Sequence, residues 1–163
     1  MTPYAVSFLA DQPRLIGGVA SLRWREWGHA PEPEDLDWWV EATTQESGRN
    51  EPPVTFVAHD GREALGAVGL GIFDIEERRD RSPWVLGLIV DPKHRAMGVG
   101  SALMERLVQW AGSNGIAEVW AATGYAESFY ARCGWTIIER LFCASQGHEV
   151  TVLRKATPDS RAG

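Results

Sequence analysis

The sequence is poor in cysteine and has no long apolar segment. Its two cysteines, Cys133 and Cys143, form neither a disulfide framework nor a metal-ligand pattern, so no metal site is predicted. No run of about eighteen apolar residues occurs, so a membrane-spanning helix is not expected. The first residues lack a charged leader and a long apolar stretch, which argues against a secretory signal. These absences predict a cytoplasmic protein without a membrane partner.

Positive charge is also scarce. The chain has 16 Lys and Arg against 22 Asp and Glu, a net charge of −6, which argues against a nucleic-acid partner. One stretch is markedly acidic, with Glu32, Glu34, Asp35, Asp37 and Glu41. This cluster either creates a field that attracts cationic substrates or forms the solvated face of a helix.

The length and the element pattern predict one domain over residues 1–156, followed by a polar tail over 157–163. Strands are predicted at 4–9, 54–59, 64–73, 84–90, 117–122, 135–142 and 149–153, and helices at 11–27, 34–48, 98–113 and 127–133. Hairpins at both ends flank a central β-α-β unit. The predicted class is therefore α+β, or mixed α/β, and not a doubly wound sheet.

The most informative stretch is His94–Leu103, HRAMGVGSAL, which lies between a predicted strand and a predicted helix. Its two glycines, Gly98 and Gly100, are expected to bend the backbone so that successive N–H groups share one concavity. The start of the helix adds partial positive charge. The segment therefore predicts an anion site, most simply for a pyrophosphate. It is neither a P-loop nor a dinucleotide fingerprint, since no Lys follows the glycines at P-loop spacing and Leu103 stands where the third fingerprint glycine belongs.

Two motifs in order resemble those of one enzyme superfamily. Arg95–Gly100 matches R/Q-x-x-G-x-G/A, and Ala126–Trp135 matches A-x-x-FY-x-x-x-G-[FW], with Tyr130 thirty residues after Gly100. Together they resemble the GNAT N-acyltransferases. The resemblance implies a central mixed, mostly antiparallel sheet of about seven strands with a splayed central strand pair, and about four helices. It also implies acetyl-coenzyme A as co-substrate and transfer of its acetyl group directly to a primary amine.

The resemblance assigns roles to matched positions. The loop and first helical turn would bind the pyrophosphate of the co-substrate, through Arg95, Ala96, Met97, Gly98, Val99, Gly100 and Ser101. Leu88, Ile89 and Val90 would pair their backbone with the pantetheine arm, and one of their N–H groups could polarise the thioester carbonyl. Tyr130 would protonate the departing thiolate, and Cys133 would be structural.

Some positions depart from the family pattern. Many members have glycine where this chain has Ala96 and a basic residue where it has Met97. Lys93 or Arg106 could compensate for the missing cation, and backbone N–H groups are expected to make most of the anion contacts. The strand at 84–90 also carries no carboxylate that could take the proton of an ammonium acceptor. The remaining candidates for this base are Asp74, Glu76, Glu77, His59 and His148.

The acceptor and the partner stay open at this level. Trp24, Trp27, Trp38 and Trp39 on the first two helices either line an aromatic acceptor pocket or pack between helices. Thr123 either caps the helix that follows or touches the acceptor. The acceptor is a small-molecule amine, or a peptide or protein amine. A non-catalytic acyl-coenzyme A sensor and a general nucleotide binder are the competing hypotheses, and a homodimer is possible.

Overall fold

A computed structural model describes residues 3–29 and 33–158; Glu32 of the acidic cluster and 159–163 of the predicted tail lie outside them. The strands are β1 Ala5–Phe8, β2 Val54–His59, β3 Ala64–Gly71, β4 Trp84–Val90, β5 Glu118–Thr123, β6 Thr136–Cys143 and β7 His148–Ala156. The helices are α1 Ile16–Trp27, α2 Leu36–Gln45, α3 Val99–Ser113 and α4 Glu127–Arg132. The predicted order of elements is confirmed.

The strands form a seven-stranded sheet in the order β1-β2-β3-β4-β5-β7-β6. The pairs β1–β2, β5–β7 and β6–β7 are antiparallel, whereas β4 runs parallel to β5. Within the described residues, the register of that parallel pair consists of Trp84 opposite Trp120. A mixed, mostly antiparallel sheet of seven strands with four described helices confirms the predicted α+β class.

Of the described residues, 3–29, 33–69 and 87–106 form one compact unit. Its buried core joins the start of the chain, α1 and the first strands of the sheet, through Leu9, Leu15, Val19, Leu22, Val57, Ala67 and Ile89. Residues 70–86 and 107–158 form a second unit. Its core is built from Ile75, Trp84, Trp120, Cys143, Val150 and Val152.

The first helix begins later than its sequence pattern predicts. The expected start at Asp11 is wrong, because two short 3₁₀ turns, Leu9–Asp11 and Pro13–Leu15, precede α1. Gln12 separates them with φ −130° and ψ 55°, outside the helical region. The residue before a proline is sterically restricted from that region, so one continuous helix cannot pass through position 12.

The second helix shows what one member of the acidic cluster does. Asp35 is the N-cap of α2, and its Oδ1 accepts a hydrogen bond from the Trp38 N–H at 2.9 Å. Such a cap satisfies one of the backbone donors that the first turn leaves without a partner. The helix therefore starts at Leu36 rather than directly after Pro33.

A helix with the length and hydropathy needed to traverse a bilayer is missing from the described residues. The described ranges also contain no group of three or more His, Cys, Asp or Glu side chains suited to hold a metal ion. Both cysteines are free thiols.

Candidate active site

The segment between β4 and α3 is bent by two residues in the left-handed region. Ala96 has φ +64° and Gly98 has φ +79°. Left-handed residues alternating with ordinary ones turn successive backbone N–H groups into one concavity that suits an anion. The prediction that Gly100 shares in this bend is wrong, because Gly100 already lies in α3. Ala96 holds the second bend, at a φ that is uncommon for a residue with a Cβ.

The amino end of α3 lies directly after this bend. The Gly98 carbonyl accepts the helical hydrogen bond of the Ala102 N–H at 3.0 Å, so the helix begins at Val99, one residue after the predicted start. The N–H groups of the first turn have no intrahelical acceptor, and together with the helix dipole they favour a negative ligand. Val99 and Leu103 are buried and anchor the helix. The bend and the helix end therefore fit a diphosphate group.

The basic side chains near this segment are placed differently from one another. Lys93 is exposed, and its backbone N–H is bonded to the Asp91 side chain at 3.0 Å. Arg95 Nε donates to the Val90 carbonyl at 3.3 Å, and its Nη2 lies 3.7 Å from a Glu26 oxygen. The Arg106 guanidinium instead stacks on the Phe56 ring at 4.9 Å. Arg106 is thus engaged with an aromatic ring, and Lys93 is the better candidate for the missing cation.

At the end of β4, the backbone N–H and C=O groups of successive residues face opposite edges of the strand. The Asp91 N–H donates to the Leu65 carbonyl of β3 at 2.8 Å. Because the backbone groups of a strand alternate between its two edges, the N–H and C=O groups of Ile89 also face β3. Those of Leu88 and Val90 face the opposite edge. This is the edge at which a peptide-like chain could add as a strand.

Tyr130 lies on α4 and is only 5% exposed. Its ring makes edge contacts with Phe129 and Trp135, at centroid distances of 5.6 and 5.2 Å. Burial raises the pKa of Tyr130 well above its ordinary value, and the nearby negative charge of Asp74 raises it further. The hydroxyl therefore keeps its proton at neutral pH.

Thr123 has a structural task. Its Oγ1 accepts hydrogen bonds from the N–H groups of Tyr125 and Ala126, at 3.3 and 2.9 Å, in the turn before α4. The geometry supports the capping interpretation of this residue. Contact of Thr123 with an acceptor stays a prediction.

Among the five candidates for a general base, the three carboxyl groups differ in the direction of their pKa shifts. Burial raises the pKa of Asp74 to about 6. The Arg79 guanidinium lowers the pKa of Glu76, and a hydrogen bond from the Ala144 N–H lowers that of Glu77. Asp74 therefore binds a proton more readily than the two glutamates.

The two histidines are engaged with neighbouring groups. His59 Nδ1 accepts from the Gly61 N–H at 3.2 Å, so in a neutral ring Nε2 carries the proton and donates to Ser7 Oγ at 3.0 Å. His148 Nδ1 donates to the Glu149 carbonyl at 3.0 Å. Asp74 is thus the best placed of the five to accept a proton near neutral pH.

The aromatic residues of the first two helices are not equivalent. Trp24 Nε1 donates to the Glu34 carbonyl at 3.1 Å, which fastens the segment before α2 to α1. Trp27 is 43% exposed and stacks on Trp39 with centroids 6.3 Å apart, and Trp38 is 51% exposed. Trp24 therefore acts as a packing residue, whereas Trp27 and Trp38 present aromatic surface to solvent.

Comparison with known proteins places the chain in a family. The model of the acetyltransferase (GNAT) family matches residues 16–135, and the chain belongs to this family. It is therefore an acyltransferase, and its acyl donor is acetyl-coenzyme A. No curated protein sequence matches significantly.

Three solved structures show how widely the fold is shared. The chain is similar to an aminoglycoside 6'-N-acetyltransferase complexed with coenzyme A, with a TM-score of 0.76, 15% identity, and 93% and 96% of the two chains covered. The chain is also similar to the ribosomal-protein-S18-alanine N-acetyltransferase of Escherichia coli, with a TM-score of 0.63 and 16% identity. The match covers 95% of this chain and 94% of the other. A nourseothricin acetyltransferase is similar with a TM-score of 0.53 and 28% identity. That match covers 64% of this chain and 65% of the other.

Proposed function

We propose that this protein is an N-acetyltransferase that moves the acetyl group of acetyl-coenzyme A directly to a primary amine of a cationic small molecule. The observation that carries the proposal is Tyr130, which stands at the family's motif position and is buried against the rings of Phe129 and Trp135. A protein that only binds acyl-coenzyme A needs no proton donor. In the transfer, by contrast, the sulfur that leaves the acetyl group must receive a proton.

The residues of the chain divide the proton work between them. The Asp74 carboxylate takes a proton from the acceptor ammonium, directly or through water, so that the neutral nitrogen can attack the carbonyl carbon. The Leu88 N–H stabilises the negative charge that develops on the carbonyl oxygen. As the carbon–sulfur bond breaks, Tyr130 donates its proton to the sulfur and recovers one from the attacking nitrogen, which must lose a second proton to become an amide, while Asp74 releases its own proton to solvent. An amide and a free thiol result, and no covalent enzyme intermediate is needed.

The binding roles follow from the geometry of the loop. The N–H groups around Ala96 and Gly98 and in the first turn of α3 hold the pyrophosphate, with Lys93 as the neighbouring cation. The strand edge that carries Leu88 and Val90 pairs with the pantetheine amides.

The choice of a cationic acceptor rests on α2 and its neighbour. The exposed rings of Trp27 and Trp38 offer faces for cation–π contact. Asp37 and Glu41 are exposed one turn apart on α2 and add negative potential. Two of the similar structures are named for aminoglycoside and nourseothricin acetylation, and one for a ribosomal-protein alanine. A peptide acceptor is therefore the alternative outcome of the test.

The test measures free thiol released from acetyl-coenzyme A with a panel of aminoglycosides, polyamines, amino acids and short peptides. With a reactive amine, Tyr130→Phe should lower kcat on the order of 10²–10⁴-fold and leave the Kd of coenzyme A unchanged, because only the transferred proton is lost. Tyr125→Phe is the matched control, since Tyr125 is 93% exposed and should keep full activity.

Two outcomes would contradict the proposal. If acetyl-coenzyme A raises the Tm but every amine is inert, the protein is a non-catalytic sensor. If Tyr130→Phe keeps its kcat, the proton comes from another group. Competition of coenzyme A with adenine nucleotides separates both cases from a general nucleotide binder.

We also propose the cytoplasm as its compartment, because Cys133 and Cys143 are free thiols, as a reducing environment would keep them. A homodimer stays a prediction, which light scattering of the purified protein would test.

A further inference from the structure

Arg23 is a charged side chain inside the first unit that the reaction described above does not use. It lies on α1 with 2% of its surface exposed. Its Nη1 donates to Thr43 Oγ1 at 3.4 Å and to a Glu46 carboxylate oxygen at 3.2 Å, both at the end of α2. Burial lowers the pKa of Arg23, and the charge of Glu46 partly opposes that effect. The guanidinium is thus held from one side by α2.

The other side of the guanidinium lies against β4. Arg23 Nε donates to the Gly87 carbonyl at 3.4 Å. Gly87 has φ +58°, and a Cβ built there would lie 2.9 Å from Cζ, Nε and Nη2 of Arg23. A larger residue at 87 would therefore be strained and would displace the guanidinium. The strand is irregular at the point where the arginine touches it.

Stability alone does not account for this arrangement. A buried ion pair stabilises a fold weakly, since apolar residues of similar volume often do as well or better. In the part of the chain that the structure describes, Nη2 of Arg23 is buried without a hydrogen-bond partner, which adds a further cost. A positional role would explain why a guanidinium stands here.

The bond to Gly87 determines the direction of the next N–H group. In a planar trans peptide the C=O and N–H bonds point in opposite directions. Because the Gly87 carbonyl points at Arg23, the Leu88 N–H points away from Arg23. This agrees with the alternation along the strand, which turns Leu88 to the edge opposite β3.

We propose that Arg23 is a positioning residue: anchored on Thr43 and Glu46, it holds the peptide between Gly87 and Leu88 so that the Leu88 N–H meets the thioester carbonyl. The inference rests on the proposed function through the role given there to the Leu88 N–H. Arg23 touches neither substrate, and it acts only through the orientation of one peptide group. Rotation of that group would remove a preorganised donor from the developing oxyanion.

The experiment compares Arg23→Lys with Arg25→Lys, the same substitution two residues along α1 at an exposed arginine that bonds to the Ser21 carbonyl. A lysine at 23 keeps the charge near Glu46 but loses the Nε donor to Gly87. We expect kcat to fall on the order of tenfold or more, up to the 10²–10³ typical of a lost oxyanion donor. The Kd of coenzyme A, which has no acetyl carbonyl, should stay unchanged.

A second measurement follows the stretching frequency of the thioester carbonyl of acetyl-coenzyme A. Difference infrared spectra of carbonyl-labelled acetyl-coenzyme A, bound without acceptor, should show a lowered stretching frequency in the wild type and in Arg25→Lys. In Arg23→Lys the band should move back toward its value for an unbonded thioester. If Arg23→Lys does not fold, Arg23→Met combined with Glu46→Gln serves as a second variant, because it leaves no unpaired carboxylate at position 46.

The outcomes separate this inference from the proposed function. A folded Arg23 variant with an unchanged carbonyl band overturns the inference, and so does a loss of coenzyme A affinity that matches the loss of kcat. If neither variant folds, Arg23 is a structural residue and the inference also fails. If the wild type shows the shifted band that Arg23→Lys loses, yet acetylates no amine, the acceptor assignment fails and the inference stands.

Discussion

At the scale of single residues, burial raises the pKa of Tyr130 and that of Asp74, with different consequences. It raises that of Tyr130, so the phenol stays protonated at any ordinary pH and gives up its proton less readily than an exposed tyrosine does. It raises that of Asp74 to about 6, which brings the carboxyl group close to the pH at which a base must accept a proton and release it again. Groups tuned in this way commonly mark functional sites, although structural pairs shift as well.

Asp74 predicts the shape of the pH profile. The base acts only when it is ionised, so kcat/KM should rise with pH and level off above about 6. Asp74→Asn should lower kcat/KM on the order of 10²-fold or more and remove this limb, as the pH dependence of thiol release would show. A limb that persists in the variant would assign the titration to another group.

Stability measurements provide the control for that variant. The pKa of Asp74 is higher in the folded state than in the unfolded chain, so ionisation disfavours folding, and stability is lost as pH rises between about 4 and about 6. Asparagine removes this effect, and the Tm of Asp74→Asn at pH 7 should equal or exceed that of the wild type. Glu76→Gln, two residues away and paired with Arg79, should keep its activity.

At the scale of elements, the loop before α3 carries a conformational cost at Ala96. A left-handed φ disfavours a residue with a Cβ by about 1–2 kcal/mol, whereas glycine adopts it readily. Replacement of alanine by glycine should therefore have opposite effects on the free energy of unfolding at two positions, one in the loop and one in the helix that follows.

Ala96→Gly should stabilise the fold by about 0.5–1 kcal/mol, since relief of the φ exceeds the added chain entropy. Ala102→Gly, inside α3, should destabilise it by about 1 kcal/mol. Urea denaturation of both variants measures these free energies of unfolding. A destabilised Ala96→Gly would mean that the alanine methyl group makes contacts that outweigh its backbone strain.

At the scale of the whole molecule, the net charge of −6 bears on the choice of acceptor. A negative field raises the local concentration of cations, and salt screens it. At saturating acetyl-coenzyme A, kcat/KM for a polyamine should fall several-fold, up to about tenfold, as salt is raised to about 1 M. A monoamine of similar size should respond much less. Equal salt responses would remove the support for a cationic acceptor.

Much of the fold could be predicted from the chain, because local patterns determine it. The strand at 84–90 has the predicted bounds, and the helix predicted at 98–113 starts one residue later, at Val99, since the apolar pattern of both agrees with their burial. The start of α1 differs from its predicted position because Gln12, which precedes Pro13, lies outside the helical region. The loop motif and the Tyr130 motif were enough to indicate the family.

The sequence by itself determined the order of elements and the family, and it predicted the anion-binding loop, because each depends on residues close together in the chain. Only the tertiary structure decided which carboxylate is desolvated, that Ala96 rather than Gly100 shares the bend with Gly98, and that Arg23 meets a carbonyl 64 residues away. Burial and long-range hydrogen bonds arise when distant segments pack together, and no local pattern records them.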